Sequence, residues 1–208
     1  MTRLLLVRHG ETDWAVQGRF LGHTDLPLND RGQRQAAAIA KALSSETIHT
    51  IYTSDLGRAL TTAQAIAGFQ ESLHNEAPVV PDSRLREVDF GEWDGLTYAE
   101  ILARDPDSVN AWQGDFLKTA PPEGESLGQL AGRLRPFLED VAGAYPNKTF
   151  VVTAHAGSLQ CLLCLALGVS LKMYWQFRLA LASISQISLY PQGAIVNLLN
   201  DTCHLKDL

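Results

Sequence analysis

Leu4-Leu5-Leu6-Val7 is an apolar run close to the start of the chain. It is too short for a helical period and apolar on both alternating faces, so it predicts a short strand buried on both sides. Thr12 to Asp30 has no clean period and carries Gly18, Gly22, Pro27 and Asn29, which predicts a loop or a short broken helix. Asn29-Asp30 then opens a helix to about Ser44, with Ala36, Ala37, Ile39, Ala40 and Leu43 on one face. Thr50-Ile51-Tyr52-Thr53 predicts a second strand. Ser54-Asp55 are placed to cap a following helix from Leu56 to about Phe69.

The same alternation continues. Val79-Val80 is a short extended segment, and Arg84 to Gly95, with two glycines and interleaved aromatics, predicts an ordered loop. Thr97 caps a helix to about Ala103, whereas Asp105 to Pro122 looks irregular, with Trp112 and Phe116 as its large anchors. Gly124-Glu125-Ser126 precedes a long amphipathic helix to about Tyr145, in which Pro136 predicts a kink or a break. Thr149 to Ala154 repeats the opening pattern, an apolar strand with a histidine at its carboxyl end, and leads through Gly157 into a helix from Leu159 to Leu167. Ser185 to Tyr190 and Ala194 to Leu199, separated by Pro191-Gln192-Gly193, predict a hairpin. Strands alternating with helices predict a three-layer α/β fold: a mainly parallel central sheet, helices on both faces and a late antiparallel hairpin.

Composition narrows the picture. The 208 residues are enough for one substantial core, so one domain over 1–208 is expected. Lys plus Arg is 17 against 23 Asp plus Glu, a net charge of -6, which gives no electrostatic support for binding nucleic acid or an anionic membrane. Any anion site has to be local. No basic segment followed by a signal-type apolar run precedes Arg8, and Leu159 to Val169 is too short to span a bilayer, so a cytoplasmic location is the expectation. Cys161 and Cys164 match C-x-x-C but lie inside an apolar helical pattern, which points to buried, inert thiols.

The chemistry gathers where strands meet helices. Arg8 and His9 end the first strand, Arg58 lies in the first turn after the second, and His155 ends the strand from Thr149. Arg8-His9 alone is also what a solvated strand exit would show. In open α/β sheets, however, ligands bind outside the carboxyl ends of the strands, and Gly10 is placed to let backbone approach one. A cation in the positive first turn of a helix, as Arg58 is, is best tolerated beside an anion. If these strands are neighbours, four cationic or titratable groups converge, and phosphate is the natural partner.

Arg8-His9-Gly10-Glu11-Thr12, Ser54-Asp55-Leu56-Gly57-Arg58-Ala59 with Thr62-Ala63, Leu85-Arg86-Glu87 through Gly91, and Thr153-Ala154-His155 resemble, in order, the motifs of the histidine phosphatase (phosphoglycerate mutase-like) superfamily. The tail Asn200 to Leu205 resembles that of its α-ribazole phosphatase and broad-specificity branch. The resemblance implies a phosphomonoesterase that needs no metal or other cofactor. His9 would take the phosphoryl group, Glu87 would protonate the leaving oxygen, and Arg8, Arg58 and His155 would hold the phosphoryl oxygens. Gly10, Thr12, Ala15, Leu21, Gly22 and Ala156 are the expected substrate contacts around them. Two positions depart from the family's habit: Ala15 stands where asparagine is frequent, and Ala156 where glycine often follows the second histidine.

Three rivals deserve weighing. A metal hydrolase would have to hold its ion beside arginines and without H-x-x-x-H or paired-cysteine spacing. A cofactor-dependent mutase of this superfamily carries a longer cationic segment after the acid residue, whereas Asp105 to Pro122 holds one cation, Lys118, against Asp105, Asp107 and Asp115. A silent phospho-ligand binding protein would not need every residue of a turnover site. The expected partner is therefore a small-molecule phosphomonoester, with the oligomeric state, monomer or homodimer, left open. Trp14, Trp93, Trp112 and Trp175 read more simply as packing than as a substrate entrance, His23 lies in the first loop, where contact with substrate is open to it, and His49 and His74 read as surface residues. The first loop supplies an apolar rim of Trp14, Ala15, Phe20 and Leu21 with few cations, which favours a bulky uncharged organic portion, α-ribazole 5′-phosphate being the leading expectation.

Overall fold

In the computed structural model, which describes residues 1–144 and 147–208, six strands form one sheet. They are β1 (Thr2–Arg8), β2 (Thr50–Thr53), β3 (Val79–Pro81), β4 (Thr149–Ala154), β5 (Ile184–Tyr190) and β6 (Gly193–Asp201). The order is β3-β2-β4-β1-β5-β6. The pairings among β3, β2, β4 and β1 are parallel, and the β5–β6 hairpin adds antiparallel strands beside β1. The expected fold class is the observed one.

Strand periodicity separates the two cores. Leu4 and Leu6 join Phe150 and Val152 on one face, while Leu5 and Val7 join Ile51 and Val151 on the other. The first face is covered by α6 (Leu127–Ala144) and α7 (Ala156–Leu167), the second by α2 (Asp30–Ala42) and α3 (Gly57–Ser72). Both faces being covered explains why β1 and β4 read as continuous apolar runs. Shorter α-helices among the described residues are α1 (Asp13–Val16), α4 (Tyr98–Arg104) and α5 (Pro106–Gly114).

Several local expectations are corrected. Ser54 and Asp55 do not cap α3, because Arg86 takes both oxygens of Asp55 at 2.7 and 2.6 Å, and the first-turn N–H of Gly57 donates instead to Asp25 from the first loop at 2.7 Å. Asp105 to Pro122 is not wholly irregular: Asp105 accepts from the Ser108 N–H at 3.1 Å and Pro106 occupies the position where a missing N–H is harmless, so α5 forms. α6 runs through Pro136 without a break, since Leu130, Leu134, Phe137 and Val141 all bury against one sheet face. Its expected end near Tyr145 lies outside the described residues. α7 begins at Ala156, directly after β4, rather than at Leu159. On α2 the buried position is Gln35 and not Ala37, because the Gln35 side chain accepts from the Glu11 N–H at 2.8 Å.

Cys161 and Cys164 are buried and free, and burial pushes the Cys161 thiol up to about 12. Among the described residues no helix is long and apolar enough to cross a membrane.

Candidate active site

Register places the functional groups at one edge. β1 pairs Arg8 with Ala154, and Thr53 lies opposite Thr153, so the chain leaves β1, β2 and β4 at the same level. His9 continues the ladder: its N–H donates to Ala154 at 3.0 Å and its carbonyl accepts from Ala182 at 3.0 Å. Backbone clamped on both sides leaves the imidazole little freedom. The ring Nδ1 lies 2.7 Å from the Gly10 carbonyl, which can only accept, so Nδ1 carries the proton and Nε2 keeps its lone pair. Burial, then the charge on Arg58, then that on Arg8 hold the His9 pKa well below 6.5.

Behind His9 stands a buried pair. Arg58 donates through Nε to His155 Nδ1 at 3.1 Å, and His155 Nε2 lies 2.9 Å from the Ser54 hydroxyl. His155 is therefore neutral, and burial followed by Arg58 and His9 holds its pKa well below 6.5. The two imidazole rings meet edge to face, with centroids 5.0 Å apart. Arg58 is fully buried and its other nitrogens donate to the Thr24 and Gly22 carbonyls at 2.9 and 2.7 Å. Those carbonyls are aimed by Asp94, whose oxygens accept from Gly22 and Thr24 N–H at 2.8 and 2.9 Å. Burial pulls the Arg58 pKa down to about 10, with Glu87, Asp25 and Asp94 opposing it.

Glu87 reaches the site from the loop before Val88. Its carboxylate accepts from the Gly157 and Ser158 N–H groups in the first turn of α7, at 3.0 and 3.1 Å, and from Val88 at 2.9 Å. A helix N-terminus supplies such donors without further cost. The loop itself is gathered by Arg133 on α6, which donates to the carbonyls of Arg84, Arg86 and Glu87 and pairs with Glu125. Arg8 donates to the Leu179 carbonyl at 2.7 Å, while its Nε is buried with no hydrogen-bond partner among the described residues. Such an orphan donor costs about 1–3 kcal/mol, which an anion in the site would relieve. Burial lowers the Arg8 pKa, against Glu87.

Arg8, His9, Glu87 and Ala156 line a crevice of about 740 Å³. Ala15, Gly18, Arg19, Phe20 and Leu21 of the first loop and Phe90 also line it, together with Gln160 of α7, Trp175 and the stretch Phe177 to Leu181. Of the expected contacts, Ala15, Leu21 and Ala156 face this space, whereas Gly10, Thr12 and Gly22 serve the framework. A Cβ on Gly10 would lie 2.4 Å from the Gly32 carbonyl oxygen of α2, so this glycine lets two backbones meet and not a ligand approach. Thr12 caps α1, and Gly22 holds Arg58. Trp93 is packed in a small cluster with Ile101 and Val109, as expected, but Trp175 is exposed on the crevice wall. The expectation of a rim with few cations also needs correcting, because Arg178 and Arg19 both line it. Arg178 lies in a stretch with no periodic signal, and Arg133 looks in sequence like an ordinary polar face of a helix. His23 touches the Glu87 carbonyl at 3.0 Å.

A neutral histidine with a free ring nitrogen, set between two guanidiniums and beside a carboxylate, is equipped to accept a phosphoryl group. Comparison with known proteins points the same way. The sequence model of the Histidine phosphatase superfamily (branch 1) matches residues 4–202. Phosphoserine phosphatase 1 of Hydrogenobacter thermophilus is 36% identical over 207 residues, covering 100% of this chain and 96% of that protein. Among solved structures, the α-ribazole phosphatase of Shigella flexneri superposes with a TM-score of 0.87 at 27% identity over 96% of each chain. The phosphoserine phosphatase of Entamoeba histolytica, solved with 3-phosphoglyceric acid, does so with a TM-score of 0.85 at 30% identity over 99% of this chain and 100% of that one. Motif order, fold and a family match spanning nearly the whole sequence agree, and the chain belongs to the histidine phosphatase superfamily, as an enzyme acting as a phosphatase.

Proposed function

We propose that the enzyme hydrolyses small phosphomonoesters through a covalent phosphohistidine on His9. The observation that carries this reading is the commitment of Nδ1 to the Gly10 carbonyl, which leaves Nε2 as an unprotonated nucleophile between Arg8 and Arg58. Nε2 attacks phosphorus as the ester P–O bond breaks, and the proton of the Glu87 carboxyl goes to the leaving oxygen. Water then attacks the phosphohistidine, its proton returns to Glu87, and inorganic phosphate leaves. Arg8 in the crevice and the buried charge of Arg58 behind the ring stabilise charge on the phosphoryl oxygens, while neutral His155, bonded to Arg58 and Ser54, holds the Arg58 guanidinium in place. Two guanidiniums supply the positive charge that a metal would bring, so no cofactor is assigned. Nor is a nucleic acid or membrane partner.

For the organic portion, the apolar wall of Phe20, Leu21, Phe90, Trp175 and Phe177 supports α-ribazole 5′-phosphate, in keeping with the name of the Shigella flexneri neighbour. The relatives named phosphoserine phosphatase support a smaller, charged ester. Acid-quenched turnover of a labelled phosphomonoester in chelator should trap a phosphoenzyme that is labile to acid and stable to base, and His9→Ala should yield none. Undiminished hydrolysis by His9→Ala would overturn the reading.

A further inference from the structure

The crevice carries a guanidinium that the hydrolysis does not use. Arg178 lines the crevice with Ala15 and Leu21, is exposed, and makes no hydrogen bond or ion pair among the described residues. The other rim arginine is already engaged, since Arg19 donates to Glu100, Gln17 and the Gly95 carbonyl. Arg178 is nevertheless firmly rooted. The carbonyl before it, on Phe177, accepts from Gln160, and the carbonyl after it, on Leu179, accepts from Arg8 at 2.7 Å. Consecutive Cα atoms are about 3.8 Å apart, so Arg178 springs from the backbone one residue away from the contact that holds Arg8.

Charge balance then favours a second anion. Arg8, Arg19 and Arg178 line the crevice together with Glu87; Arg19 is matched by Glu100, which leaves Arg8 and Arg178 against the one carboxylate of Glu87. A bound phosphoryl group matches Arg8 and the buried Arg58 and leaves Arg178 unmatched. A guanidinium presents paired N–H donors that fit the two oxygens of a carboxylate. Because Arg178 directly precedes in the chain the Leu179 carbonyl that holds Arg8, a carboxylate only a few bonds from the phosphorus falls within its reach.

We propose that Arg178 is a specificity-determining residue that binds a carboxylate on the organic portion of the substrate, so that the crevice selects phosphomonoesters of short hydroxy acids or hydroxy amino acids. This rests on the phosphohydrolase reading of the same site. It also separates two features of the crevice: the apolar wall accommodates the carbon skeleton, and Arg178 sets the charge that the skeleton must carry.

Matched substrates test it. O-phosphoserine and O-phosphoethanolamine both release a primary 2-amino alcohol and differ by the carboxylate, as 3-phosphoglycerate and glycerol 3-phosphate differ by carboxylate against hydroxymethyl. The wild-type enzyme should favour the carboxylate member of each pair in kcat/KM by about tenfold, chiefly through KM. Arg178→Met should collapse that ratio toward one, and Arg178→Lys should keep part of it. Equal kcat/KM within the pairs for the wild type, or an unchanged ratio in Arg178→Met, overturns the proposal. Hydrolysis of an aryl phosphate by the wild type is the control on the underlying reading. If it is present while the carboxylate is ignored, Arg178 alone has been misread; if it is absent, the hydrolase reading falls and takes the proposal with it.

Discussion

Gly157→Ala is the sharpest probe of how the acid group is held. Gly157 sits in the first turn of α7, and a Cβ there would lie 2.3 Å from Glu87 Oε1, 2.7 Å from the Tyr174 hydroxyl and 2.9 Å from Val88 Cγ2. Ordinary carbon-to-oxygen contact begins near about 3.3 Å, so the carboxylate has to retreat by roughly 1 Å. The Tyr174 ring is itself buried and blocks an easy escape. Retreat strips Glu87 of one or both bonds from the Gly157 and Ser158 N–H groups. A displacement of that size at a catalytic group costs about a hundredfold in rate, and kcat on an alkyl ester such as glycerol 3-phosphate should fall by about that factor. An aryl ester, whose leaving oxygen hardly needs a proton, should lose about tenfold or less. Overpacking should also lower stability by about 1–3 kcal/mol, read from urea unfolding. Steady-state kinetics on the two esters decides the matter. A Gly157→Ala enzyme that hydrolyses the alkyl ester within about threefold of wild type would refute the geometry assigned to Glu87.

Two further outcomes follow from the site's framework. Arg133→Met removes the donor shared by the Arg84, Arg86 and Glu87 carbonyls and leaves Glu125 unpaired in a partly buried place; unfolding in urea should show a loss on the order of 3 kcal/mol, allowing for partial exposure, with the alkyl ester again losing more rate than the aryl one. His9 and His155 both have pKa values depressed below the unfolded 6.5, so the unfolded chain takes up protons that the folded chain refuses. Their contribution to stability should be complete above about pH 6.5 and decline below it by up to about 1.4 kcal/mol per pH unit for each ring. Urea unfolding at pH 7.5, 6.5 and 5.5 checks this, and a His155→Asn variant with an unchanged slope would contradict it.

Much of the architecture was legible along the chain because it depends on local pattern. The buried strands at Leu4 to Val7 and Thr149 to Ala154 declare themselves by apolar residues on both faces, Asn29 and Thr97 by cap chemistry, and the late hairpin by its turn. The convergence of Arg8, His9, Arg58 and His155 was legible too, once each was recognised at a strand-to-helix junction of a parallel sheet. What the pattern could not carry was any partner distant in sequence. Asp25 capping α3, Arg86 taking Asp55 away from that role, and Gly10 meeting Gly32 all depend on which loops lie against which helices.

The site divides in the same way. Residue type and position by themselves determined that a histidine flanked by arginine would end β1, while it took the resemblance to the family's motifs to single out Glu87 among the carboxylates of the Arg84 to Gly95 loop. Only the tertiary structure decided which ring nitrogen of His9 is free, because that rests on the Gly10 carbonyl 2.7 Å away. It also decided that His155 is neutral, through Arg58 and Ser54, and that Glu87 hangs on the N-terminus of a helix some seventy positions later, as the sequence separations of 70 and 71 record. The rim changed most between the two views. The few cations of the first loop suggested a partner without a second charge, yet Trp175 and the stretch Phe177 to Leu181 also line the crevice, and they are held beside Arg8 by bonds from Arg8 and Gln160 to the Leu179 and Phe177 carbonyls that no periodicity encodes. Local patterns are written by neighbours in the chain, whereas electrostatic environments are written by neighbours in space.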